Sequence, residues 1–127
     1  MKEQGIQNKI RAELSPLGIF FRVNVGQGWT GTEIVKLPVG SVLIKNARPF
    51  STGLPKGTSD IIGAAFVTIT PDMIGQTLAV FTAIEVKTSI GKVRPEQQNF
   101  LDVMRSAGAR AGVARSPEDA VRIARGL

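Results

Sequence analysis

The sequence predicts an α/β fold, a sandwich of helices around a mixed sheet. Three observations point to it. Apolar residues recur at helical spacing over residues 3–15 and 95–107. Short runs rich in β-branched and aromatic residues, closed by Gly and Pro, lie between them. Across residues 78–114 a strand, a helix and a strand follow one another, the pattern of a right-handed crossover joining parallel strands.

Each element has a local reason. Ile6, Ile10, Leu14 and Leu17 form the stripe of the first helix, and Ser15-Pro16-Leu17-Gly18 stops it. Its start, Met1-Lys2-Glu3-Gln4, is polar and lacks the apolar core of a signal peptide. Ile19 to Val25 reads as a strand, and Gly26 to Gly31 as a turn. Thr32 to Lys36 and Ser41 to Lys45 read as two short strands around Pro38-Val39-Gly40. Asn46 to Gly57, with Pro49, Gly53, Pro55 and Gly57, reads as a loop. Asp60 to Thr70 and Leu78 to Thr88 read as strands separated by a turn at Pro71. The helix over 95–107 has Pro95 in its first turn, a buried stripe of Phe100, Leu101, Met104 and Ala107, and Gly108 at its end. Arg110 to Ala114 is a strand. Ser116-Pro117-Glu118-Asp119 opens the last helix with a serine cap, proline and first-turn acids. The order is αβββββαβα, with no internal repeat or linker.

A chain of 127 residues, 43% of them apolar, suits one globular domain spanning 1–127. It has no cysteine, which excludes disulfides and thiolate metal sites and fits a reducing compartment. It has no histidine, which removes the usual general base, the commonest zinc ligand and any Ser-His-Asp triad. A metal ion here must be hard and held by oxygen, such as Mg²⁺ or Mn²⁺. The net charge of +6, from 16 Lys and Arg against 10 Asp and Glu, favours a polyanionic partner. No apolar run is long enough to span a bilayer, and no basic amphipathic helix carries the aromatic anchors of a membrane-surface protein.

Gly26-x-Gly28-x-x-Gly31 spells a dinucleotide fingerprint, but strand-like Thr32 to Lys36 follows where the fingerprint needs a helix. Gly53-Leu54-Pro55-Lys56-Gly57-Thr58 has the letters of a phosphate loop in the wrong order.

The polar residues at strand and helix ends carry more. Asp60 opens an apolar strand directly after the Gly-rich loop. Glu85 and Lys87 close the next long strand on a shared face, because side chains alternate. Gln97 lies three and four residues before Phe100 and Leu101, which puts an amide beside the stripe that faces the sheet. In the first helix Ile10 and Leu14 fall within about 20° of Glu3 and Gln7 within about 40°, whereas Glu13 lies about 80° away. Asp60 and Glu85 can bind a hard divalent cation, with the Ile84 or Val86 carbonyl and water completing the shell. Lys87 is then placed to orient or deprotonate a water, or to stabilise charge on a phosphorane. Activated water attacking phosphorus is chemistry open to such a histidine-free site.

Ser59-Asp60 followed by Glu85-Val86-Lys87 resembles the PD-(D/E)xK nuclease core. The longer pattern runs through Gly57-Thr58-Ser59-Asp60-Ile61-Ile62-Gly63, Ile84-Glu85-Val86-Lys87, Arg94-Pro95-Glu96-Gln97 and Gly108. It resembles the VRR-NUC branch of that superfamily, the virus-type replication and repair nucleases, from Glu3 to about Val121. Ser59 stands where the motif name has proline.

The resemblance implies a restriction-endonuclease-like mixed β-sheet flanked by helices. It implies that Asp60 and Glu85 ligate Mg²⁺ or Mn²⁺, that Lys87 is catalytic, that Gln97 assists at the water or the phosphate, and that Glu3 reaches the metal. It further implies a structure-selective endodeoxyribonuclease acting on branched DNA, similar to Holliday-junction resolvases, working as a homodimer in the cytoplasm of a bacterial or phage-infected cell. Arg22, Asn24, Arg48, Lys56, Lys92 and Arg94 are the candidate phosphate contacts. Trp29, in a turn, reads as the closure of a small satellite core or a dimer contact, with stacking on a base or wedging of a junction as the alternative. The alternative from another class is a DNA-binding module that kept the fold and lost catalysis, against which intact Asp60, Glu85 and Lys87 argue.

Overall fold

The computed structural model describes residues 2–127. Met1, which the sequence set at the head of the first helix, lies outside the described residues. The chain is mixed α/β and gathers into two compact units, one of Met1–Ile19 with Gly63–Leu127 and one of Phe20–Ile62. No helix among the described residues is long and apolar enough to cross a membrane.

In the first unit, α1 (Glu3–Leu14) ends in a tight turn at Ser15–Leu17, as the Ser-Pro pair predicts. Its stripe is only partly covered: Leu14 is half-buried, whereas Ile6 and Ile10 are exposed. The centre of the unit is a parallel pair, β7 (Thr82–Val86) with β8 (Arg110–Ala114), in the register Ile84↔Gly112 and Glu85↔Val113. Parallel neighbours need a crossover, and α2 (Pro95–Ser106) supplies it.

Helices α2 and α3 (Pro117–Ala124) both pack on this pair. Alternation puts Glu85 and Val113 on one face and Ile84, Gly112 and Ala114 on the other. Gln97 of α2 meets Glu85, while Ile123 of α3 lies so close to Gly112 that a Cβ there would come within 2.9 Å of it. The two helices therefore cover opposite faces. Leu101 and Met104 of α2 and Ala114 of β8 are the buried apolar side chains among the described residues. Phe100, expected in the same stripe, is 40% exposed. The buried direction of α2 is set by Leu101 and Met104, and Phe100 falls to its edge.

The helix ends follow their local signals. Gly108, at φ 95°, closes α2 in a Schellman motif: Ala109 N–H donates to Met104 O and Gly108 N–H to Arg105 O. Ser116 caps α3 by accepting from Asp119 N–H at 3.1 Å.

The second unit holds two antiparallel ribbons. β3 (Glu33–Lys36) pairs with β4 (Val42–Lys45), the hairpin expected around Pro38. β2 (Gln27–Thr30) pairs with β5 (Arg48–Ser51), where the sequence reading has a turn and a loop. Glycine and proline mask the strand signal in both segments. Their use here is close approach: Phe50 lies over Gly28, and Gly31 abuts the carbonyl of Lys45. No helix follows these glycines, so the dinucleotide fingerprint is spelling only.

Strands β1 (Gly18–Arg22) and β6 (Ile61–Ala65) pair with each other. Phe66 N–H donates to Leu17 O at one end of the ladder and Val23 N–H to Asp60 O at the other. The strands pair as four two-stranded sheets, parallel and antiparallel. Two strands fall well short of expectation: β6 ends at Ala65 rather than Thr70, and β7 starts at Thr82 rather than Leu78. Each matches a five-residue partner, and a ladder is no longer than the strand it pairs with.

Gly18 is held to its identity by this packing. A Cβ at residue 18 would sit 2.1 Å from the Ala64 carbonyl oxygen, and that obstacle is backbone. Gly18→Ala is expected to destabilise the protein by at least about 1–3 kcal/mol, the usual range for overpacking. Chemical denaturation of the two proteins side by side checks this; an unchanged midpoint would show that the strands can separate at no cost.

Candidate active site

Strand β7 delivers two charged side chains to one face. Glu85 belongs to the ladder, and Lys87 continues it by one residue through its N–H to Ala114 O at 3.0 Å. Both therefore project to the α2 side, with side-chain exposures of 28% and 18%. Lys87 Nζ lies 3.3 Å from Glu85 Oε1. The lysine is thus held against the carboxylate rather than released to solvent.

Gln97 completes the cluster from α2. On the helix it falls between Leu101 and Met104, about 40° from one and about 20° from the other, so its amide must face the sheet. Its Nε2 donates to Glu85 Oε1 at 2.7 Å, and its Oε1 accepts from Arg94 N–H at 3.0 Å. That second bond satisfies one of the free N–H groups at the helix start and fixes which end of the amide points at Glu85. Gln98 turns outward and donates to Asp102, as its helical position predicts.

One oxygen of Glu85 therefore takes both donors. Among the described residues Oε2 has no polar partner. A half-buried carboxylate with one uncommitted oxygen suits a hard cation as a single ligand. Among the described residues no three His, Cys, Asp or Glu side chains cluster as a metal group. Val86 is exposed on the opposite face and brings only its carbonyl into question.

The remaining candidates divide between the units. Asp60 is exposed at the bend before β6 and belongs to the second unit, with Arg22, Asn24, Arg48 and Lys56, all exposed. Glu3 is exposed at the first turn of α1, and Glu13 is exposed near its end. Gln7 is half-buried, and its Oε1 is a buried oxygen without a partner among the described residues. Lys92 and Arg94 are exposed on the connection between Lys87 and Gln97. Arg94 also pairs with Glu96 at 3.2 Å, a solvated contact that holds it weakly. Trp29 closes no satellite core: it is 62% exposed.

Arg115 is the residue that sequence reasoning missed. Its guanidinium donates to the carbonyls of Thr88 and Gly91 (2.8 Å to the latter), and its N–H donates to Asp119. It straps the connection that leaves Lys87 and carries Lys92 and Arg94. The parallel register explains this: Val86 lies beside Ala114, so residue 115 emerges next to residue 87. Only the expected pairing of these strands could have drawn attention to it. Arg115→Met is expected to speed amide exchange around Gly91 about tenfold or more, as losing charge-assisted bonds implies. Hydrogen exchange read by residue checks it; unchanged protection over 88–92 would mean that the strap holds nothing.

No curated protein and no solved structure matches the chain. A family model does: that of the VRR-NUC domain matches residues 1–118, a span that includes the whole second unit, the first unit as far as the start of α3, and every candidate residue named above. The chain belongs to the VRR-NUC family of nuclease domains.

Proposed function

We propose that this chain is a metal-dependent, structure-selective endodeoxyribonuclease that hydrolyses phosphodiester bonds in branched DNA, in the manner of a Holliday-junction resolvase. The Glu85–Lys87–Gln97 cluster carries this reading. It joins a carboxylate, an ammonium group and an oriented amide on one half-buried face of a nuclease-family chain.

In this reading Asp60 and Glu85 would hold Mg²⁺ or Mn²⁺, with the Val86 carbonyl and Glu3 as the further ligands the family resemblance implies. A bound ion would supply Lewis-acid activation of water and neutralisation of charge at phosphorus. Lys87, already positioned by Glu85, donates toward the developing negative charge or takes part in proton transfer. Gln97 keeps the amide donor aimed at the carboxylate and holds Glu85 in one rotamer. Arg22, Asn24, Arg48, Lys56, Lys92 and Arg94 hold the phosphate backbone. Their work is positioning, which carries no sequence information. Two symmetric cuts at a junction need two active sites, so the enzyme acts as a homodimer. Exposed apolar side chains of the first unit, including Phe66, Ile69, Ile74 and Ile90, are surface that a second copy can cover.

Incubation of labelled four-way junction, flap, nicked and linear DNA with Mg²⁺, Mn²⁺ or EDTA tests the reading, and sizing of the same sample tests the dimer. Cleavage is expected with either ion, strongest on branched DNA, and none in EDTA. Lys87→Ala is expected to lower the cleavage rate by about a hundred- to ten-thousand-fold with DNA affinity kept. Undiminished cleavage would take Lys87 out of the mechanism. Affinity is expected to fall steeply with salt, with a log–log slope of about −0.9 for each phosphate neutralised on duplex DNA. A flat response would mean that phosphates are not the main contact.

A further inference from the structure

We infer that the β2–β5 ribbon is a base-stacking element: the exposed indole of Trp29 takes an unpaired nucleobase at a DNA branch. The inference rests on the nuclease reading and adds a second point of contact to it, far in sequence from the Glu85 cluster.

The register of the ribbon puts Trp29 opposite Pro49 and Gly28 opposite Phe50. Alternation then divides the side chains between two faces. Trp29 shares its face with Gln27, Pro49 and Ser51, and all four residues are exposed. Pro49 is too short to cover an indole, so a flat aromatic surface stands open with polar neighbours at its edges. On the other face Phe50 folds down over Gly28, beside Arg48.

The composition of the Trp29 face selects its occupant. An interface between copies of the chain would be expected to surround an aromatic anchor with apolar side chains in its buried core. Here Gln27 and Ser51 flank it, groups able to bond the edge of a base. The second unit carries five basic residues, Arg22, Lys36, Lys45, Arg48 and Lys56, against Glu33 and Asp60. Glu33 is already paired with Lys45 at 3.1 Å. A basic unit with an open aromatic surface suits a strand whose bases are free to stack. In continuous duplex both faces of every base are occupied by neighbours, so the indole gains little there. At a branch point, flap or single-stranded end a base face is available. Trp29 would thereby favour branched over linear DNA without reading sequence.

Trp29 is the single tryptophan of a chain without tyrosine, so its emission reports directly on the ribbon. The test titrates the full chain, in EDTA to prevent cutting, with fluorescently labelled four-way junction, single-stranded oligonucleotide and blunt duplex. Anisotropy of the label follows binding, and tryptophan emission follows stacking. Quenching is expected with junction and single strand, and much less with duplex. Trp29→Ala is expected to weaken junction binding about five- to a hundredfold and to leave duplex binding within about twofold. Trp29→Phe is expected to restore most of the loss. DNA bound by anisotropy with unchanged emission, and with equal junction affinity for Trp29→Ala, would overturn the inference and leave the nuclease reading intact. An emission shift that follows protein concentration without DNA would assign the indole to a second copy and overturn it as well. Absence of any DNA binding would overturn both readings.

Discussion

The parallel pairing of β7 with β8 is the constraint from which the site follows. Parallel strands cannot be joined by a tight turn, so the chain must cross over, and α2 is that crossover. A helix laid over one face of two strands brings its own buried stripe to that face. Gln97 lies in that stripe, and Glu85 lies on that face of β7. Their 2.7 Å bond is thus a consequence of topology. Lys87 is included because β7 extends one residue beyond its formal end, through the bond from its N–H to Ala114. Remove the β7–β8 register and the amide, the ammonium group and the carboxylate have no reason to meet.

The same pairing explains why the cluster is held rather than mobile. Its polar atoms are tied to backbone as well as to one another. Gln97 spends its oxygen on the Arg94 N–H at the start of α2, so its amide cannot turn without exposing that donor. Arg115, emerging from β8, bonds the carbonyls of the segment that links Lys87 to α2. On the opposite face Gly112 lets Ile123 approach the strands, so α3 sits close without a competing side chain. In the proposed reaction these groups would gain from such positioning, because order established by folding need not be established again in the transition state.

The two units differ in the chemistry of their side chains. The first concentrates its polar cluster on a helix-covered parallel pair. The second is ribbons, exposed cations and an open aromatic, the surface that a strand of nucleic acid can track. The family match runs through both, so the ribbons belong to the nuclease domain rather than to an appendage.

Much of this was readable in advance wherever the code is local. Helix starts and stops at Ser15-Pro16, Pro95, Gly108 and Ser116 stand where their caps put them, since a cap satisfies atoms within a few residues of itself. Strand alternation alone put Glu85 and Lys87 on one face, and helical spacing alone turned Gln97 inward. The absence of histidine and cysteine already confined the chemistry to oxygen, amine and hard cations. Folding decided what no short window encodes. Residues 27–30 became a strand because 48–51 came alongside, although glycine and proline argue locally for turns. The register Glu85↔Val113, the strap from Arg115 and the exposure of Trp29 are choices among distant partners. Such choices are made by which surfaces exclude water together, and that is a property of the assembled chain rather than of any segment.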